Sequence, residues 1–322
     1  MELPESDVQR ALVQSYALLI RGLELGEASS RLVLPNGEFF PDIFTGDEAS
    51  LQKLLDRLLE HAGLSEMAIS ARFYGTADES CGSGVCGSCG PAQAEPESIE
   101  RLVDAGEFWQ VNVLPAEARQ AVALSSALCR AIALAVLREA DCPPRLDLDL
   151  AIDLTAVALG FGVILLEGSH IYRKSCGGPS IGRVTALGPT ELGLVLALHA
   201  AVREEPLRQV DKYLSATQRD AFAEAKVWAD SNAELWAKLR KDPERVARGE
   251  FELKESSSWL GRLFGKTIRR APSADSASTI EELEAALESA PIRSATERPS
   301  PHKPVDPKLE EIRRLVDEAL SE

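Results

Sequence analysis

Between residues 151 and 166 the chain carries a single ionisable side chain, Asp153, in a run otherwise made almost wholly of Ala, Leu, Ile, Val, Phe and Gly. A stretch of that composition has to be surrounded, by lipid or by the rest of the protein. It is shorter than the roughly 20 residues needed to cross a hydrocarbon core. A buried helix over 149–167 is therefore expected, and the remaining elements have to supply a shell around it. The chain has 322 residues and a hydrophobic fraction of 45%, enough for one large domain with attachments.

Helical spacing of apolar residues predicts that shell. Val8, Leu12, Tyr16, Leu19 and Ile20 recur over 6–25, and Leu51, Leu54, Leu55, Leu58 and Leu59 share a face over 49–61. Pro115, tolerated in a first turn, opens a helix expected over 115–139, and two more are expected at 190–203 and 216–239. Strands are expected at 31–34, 68–74 and 107–114, the second from its alternation of apolar and polar side chains. The segment 169–187 reads as irregular. The expected fold class is α+β, mostly helical, with a small sheet packed against long core helices in a domain covering 1–254. From residue 255 onward the composition turns to Ser, Pro and acidic residues that build no core, so 255–322 is expected to be a mostly disordered acidic tail. Two short amphipathic helices, 279–289 and 307–320, stand out within it.

The formal net charge is −16, from 51 acidic and 35 basic residues. Such a balance repels phosphate backbones and anionic headgroups, so neither nucleic acid nor a membrane is an expected partner. The opening MELPESDVQR has no basic segment leading into an apolar one, and a cytoplasmic protein is expected. A protein partner recruited through the tail is expected instead. Its stripe of Leu309, Ile312, Val316 and Leu320 needs a surface to lie on, and 259–270 combines Trp259 and Phe264 with basic residues.

Cys81, Cys86 and Cys89 form a C-x4-C-x2-C arrangement inside a glycine-rich loop, 78–91. Gly82, Gly84 and Gly87 let the backbone turn sharply enough to aim several thiolates at one point. The spacing is similar to that of a plant-type [2Fe–2S] loop, while a C-x2-C half-site also suits structural zinc. Zinc is the expected ion and a [2Fe–2S] cluster the alternative. Cys176, in a Lys-Ser-Cys-Gly-Gly turn, is the expected fourth ligand, with Cys129, Cys142 and His61 as the other candidates. Asp149 and Asp153 stand one turn apart and could share a helix face. His199, within an apolar helix, reads as a satisfied core histidine. Gly160-Phe161-Gly162 falls inside a helix, which excludes a dinucleotide fingerprint.

Three stretches together resemble a group of uncharacterised bacterial zincin-like proteins of the HExxH metalloprotease type. They are 31–35 with the following Phe39-Phe40-Pro41-Asp42, the apolar 153–163, and Tyr213-Leu214-Ser215 with Arg219 and Phe222. The resemblance covers about 31–239. It implies a helix carrying HExxH after the second strand, two His gripping zinc and a Glu handling the proton of bound water. The corresponding stretch, 122–134, contains neither His nor Glu. The acidic third ligand would fall on Asp149 or Asp147. The resemblance thus implies a degenerate member without protease chemistry, a non-catalytic binding or adaptor protein. The cysteine spacing carries the alternative, an iron–sulfur redox or sensing protein using Cys81, Cys86 and Cys89.

Overall fold

The computed structural model describes residues 2–23, 31–74, 100–140, 146–175 and 178–254, and all of them belong to one unit. Helix α1 (Ser6–Gly22) and helix α2 (Glu48–His61) precede a three-stranded sheet of β1 (Ile69–Phe73), β2 (Leu102–Asp104) and β3 (Trp109–Val113). The order is β1-β3-β2, with β1 parallel and β2 antiparallel to β3. Asp47 caps α2 by accepting from Ser50 N at 2.7 Å, which satisfies one of the free amides of its first turn.

The outer edge of β1 is closed by α2 rather than by another strand. Gln52 accepts from Ala71 N at 2.9 Å and donates to Ile69 O at 3.3 Å, and Glu48 accepts from Phe73 N at 3.3 Å.

Next come a short turn of helix, α3 (Pro115–Ala118), and the long α4 (Ala121–Glu139). The apolar centre follows as α5 (Leu148–Ala156), a π-helical turn (Val157–Phe161) and α6 (Gly162–Gly168). A hairpin of β4 (Ile171–Ser175) and β5 (Gly178–Gly182) leads to α7 (Pro189–Arg203), a 3-10 turn (Leu207–Tyr213), α8 (Ala216–Ser231), α9 (Ala233–Lys241) and α10 (Pro243–Ala247).

The expected central helix forms, but it is longer than its apolar run and it is broken. Counted from Leu148 to Gly168 it is long and apolar enough to span a membrane, as is α4. Packing, not length, argues for a core role, because nearly every side chain from Ala151 to Leu166 is buried by protein. At Gly160 the backbone takes φ +93°, open to glycine and costly to any residue with a Cβ. Into that break comes the segment expected as a first strand. Leu32, Val33 and Leu34 are buried, yet among the described residues they join no sheet; Val33 N donates to Gly160 O at 3.0 Å. The third strand of the sheet is β2.

Two further expectations change in detail. The helix expected at 216–239 is divided at Asn232, whose amide nitrogen donates to Trp228 O and Lys254 O and whose Oδ1 accepts from Lys254 N. The segment expected as irregular, 169–187, contains the β4–β5 hairpin. The class itself, mostly helical with a small sheet, is as expected.

Candidate functional site

Asn36 organises the turn that follows the buried 32–34 segment. Its Oδ1 accepts from Glu38 N and Phe39 N, at 3.0 and 3.2 Å, and its Nδ2 donates to Tyr213 Oη at 3.0 Å. This pins Phe39-Phe40 against α2, where His61 Nε2 stands 2.8 Å from Phe39 O and its ring meets both phenyl rings edge-on. Arg57 then holds Asp42, with contacts of 3.1 and 3.2 Å, fixing the far end of the turn.

Between this turn and the start of α4 lies an open groove of about 520 Å³. Leu54, Leu124 and Ile164 line it together with Phe40 and Phe44, and α4 adds Ala121, Val122 and Ser125. Phe44 and Val122 remain more than a third exposed. A concave surface of this size, mostly apolar with a few polar groups at its margin, is the usual form of a binding site.

The polar groups of the lining are largely spoken for. Ser125 Oγ donates to Ala121 O at 2.8 Å, within its own helix. Glu167 accepts from Ser215 N at 2.6 Å and from Ser215 Oγ at 2.7 Å, placing a carboxylate at the start of α8, where the helix dipole favours it. Ala121 and Ser125 are i and i+4 on the groove side of α4. Two zinc-gripping histidines on one helix would need that spacing, and these two side chains supply no ligand for a metal.

The carboxylate pair noted in the sequence lies elsewhere. Asp149 and Asp153 both face Arg130 of α4, with contacts of 2.7 and 2.9 Å. Asp153 is fully buried, and its second oxygen accepts from Ala186 N and Leu187 N at 2.7 and 2.9 Å. Burial pushes its carboxyl above the ordinary carboxylate value, against the opposing pull of Arg130 and the two amides. Arg130 also donates to Val184 O at 2.5 Å. The cluster ties α4, α5 and the approach to α7 together as a structural clamp. Asp147 is the N-cap of α5, accepting from Leu150 N at 3.1 Å.

Cys81, Cys86, Cys89 and Cys176 lie outside the described residues, as do Cys142 and the tail 255–322 with the short helices expected at 279–289 and 307–320. Two other candidates for the fourth ligand are fixed in place. Cys129 is fully buried in the core, where desolvation pushes its thiol well up, and His61 is engaged with the Phe39-Phe40 turn. Among the described residues no three His, Cys, Asp or Glu side chains come together as a metal site. His199 is buried as expected, its Nδ1 2.6 Å from Tyr16 Oη. The groove was not legible in advance: its lining comes from segments far apart in sequence, and only the clustered Phe39, Phe40 and Phe44 hinted at it.

The fold and groove define a mostly helical α+β protein with an apolar cleft at the head of α4. No family model, curated protein or solved structure matches the chain.

Proposed function

We propose that this chain is a non-catalytic binding protein of zincin-like descent, whose groove at the head of α4 holds an apolar segment of a protein partner. The observation that carries this reading is the groove itself. Its phenyl and aliphatic lining can bury an apolar side chain, while its hydroxyl and carboxylates are committed to backbone or to neighbouring side chains. In the same reading, Cys81, Cys86, Cys89 and Cys176 hold a structural zinc ion, and the tail recruits its partner through 279–289 and 307–320. The C-x4-C-x2-C spacing favours one second reading, a [2Fe–2S] redox or sensing protein.

The test is binding of a short Leu/Phe peptide carrying a solvent-sensitive fluorophore to the full-length chain. Phe44→Ser and Val122→Asp should each weaken binding about tenfold or more, as expected for losing one buried apolar contact or placing a charge against it. The peptide should be recovered intact. Unchanged affinity in both variants removes the groove from the proposal, and chelator-sensitive cleavage of the peptide overturns the non-catalytic part.

A further inference from the structure

The mouth of the groove leaves apolar side chains in water. Phe44 on the turn and Val122 on α4 are 38% and 36% exposed, and Ile43, next to Phe44, is 85% exposed. Apolar side chains grouped at the rim of a concave surface mark a place where another molecule is bound. The charges around the rim say what that molecule carries besides an apolar anchor.

Among the described residues of the lining, the charged ones are Asp42 and Glu167. Arg57 is shared by Asp42 and Glu60, at 3.1 and 2.7 Å, so one cation answers two carboxylates. Glu167 is held by the N–H and hydroxyl of Ser215, both neutral donors, and keeps its full charge. The stretch 32–52 contributes one wall and contains Glu38, Asp42, Asp47 and Glu48 but no Lys or Arg. Arg31 lies 3.6 Å from Glu38, and Arg101 is paired with Glu117 at 2.6 Å. Arg119 is the one basic residue of 115–125 and is not among the described lining. The sequence between β1 and β2, 75–99, holds Asp78, Glu79, Glu95 and Glu97 and no basic residue, so it brings no cation.

We infer that the segment held by the groove belongs to a basic protein partner, with Lys or Arg side chains beside its Leu or Phe anchor. This rests on the groove reading above and adds the chemistry of the occupant. The anchor is buried among Phe40, Phe44, Leu54 and Leu124, and the flanking cations meet Glu167 and the Asp42–Arg57–Glu60 trio. Exposed ion pairs add little affinity each, so the anchor carries binding while the charges discriminate. An acidic segment with the same anchor meets like charges at both places and is disfavoured. Nucleic acid and anionic bilayers are repelled by the same carboxylates and by the net charge of −16.

Fluorescence anisotropy on the full-length protein tests it. The probes are two labelled peptides with the same Leu-Phe core, one flanked by Lys and the other by Glu. The Lys peptide should bind about tenfold more tightly, the effect of exchanging attraction for repulsion at two exposed charges. Raising salt from about 0.02 M to about 0.5 M should close most of that gap. Phe44→Ser should weaken binding of the Lys peptide, and Glu167→Gln and Glu60→Gln should each narrow the gap. Glu252→Gln, outside the groove, should leave it unchanged. Equal affinity of the two peptides, with both weakened by Phe44→Ser, keeps the groove and overturns the basic partner. A Lys preference that survives Phe44→Ser and both glutamine variants belongs to the charge of the whole chain and overturns it as well. Absence of binding by either peptide removes the groove reading and this inference together. Glu60 is exposed, so its variant decides if Glu167→Gln loses native circular dichroism.

Discussion

Asp153 is a carboxylate placed where water cannot reach it, kept there by a guanidinium and two backbone amides. Removing such a group exposes the cost borne by its partners rather than the worth of the bond. Asp153→Ala should therefore cost about 3–5 kcal/mol in urea unfolding, because Arg130 and the amides of Ala186 and Leu187 lose their acceptor. Asp153→Asn keeps an oxygen for the two amides and should cost about 2 kcal/mol or less. Equal losses in the two variants would show that the amides, not the charge, are irrelevant to the clamp. The pH dependence has a definite sign. Burial raises the folded carboxyl above its unfolded value, so the folded state holds that proton more tightly. Wild type should gain stability relative to Asp153→Asn as pH falls through the raised value, with the full gain present below about 3.9 and lost again as pH rises. In sequence this residue is one of two carboxylates a helical turn apart that could share a face. Nothing in a helical spacing tells whether a cation will arrive from another helix, and Arg130 does so from α4.

At the scale of elements, the break in the central helix decides the packing around it. A Cβ on Gly160 would lie 2.4 Å from Arg31 O, at a φ that L residues rarely adopt. Gly160→Ala should lose about 2–4 kcal/mol, combining the left-handed penalty with displacement of the 31–34 segment. Gly37→Ala, where an added Cβ meets nothing within 4 Å, should stay within about 0.5 kcal/mol of wild type and serves as the control. A mild effect at Gly160 would mean that the segment and the helix break are not coupled. The helices themselves were legible because their apolar period is long and regular, as in α1 and α2. The lone strand at 31–34 was misread because a short apolar run has no period of its own to separate a sheet strand from an extended plug. The hairpin was missed for a related reason: its strands carry Gly and Pro at positions where alternation would have to show.

For the whole molecule, the proposed zinc at Cys81, Cys86 and Cys89 makes a direct prediction. Protein purified without oxygen should carry near-stoichiometric zinc that is lost in Cys86→Ser. Iron with sulfide and visible absorbance would replace zinc with a [2Fe–2S] cluster, and absence of both ions would leave the loop without a metal role. In the folded protein Cys129 should resist iodoacetamide throughout, since its thiol is buried and its thiolate disfavoured. Labelling at Cys129 would mean that the core opens on the timescale of the reaction. The class of fold could be read from hydrophobic period and composition, because both follow from burial. The groove could not, because it is made by 35–44 meeting the start of α4, and no local pattern encodes a meeting of two distant segments.

One small arrangement reaches beyond the single molecule. Gln52 and Glu48 occupy the backbone groups that β1 would otherwise present outward. An uncovered sheet edge is a surface on which identical chains can polymerise. Two side chains of α2 therefore serve crowded solution as much as the fold: at the β1 edge they leave a second copy of the sheet few backbone groups to pair with.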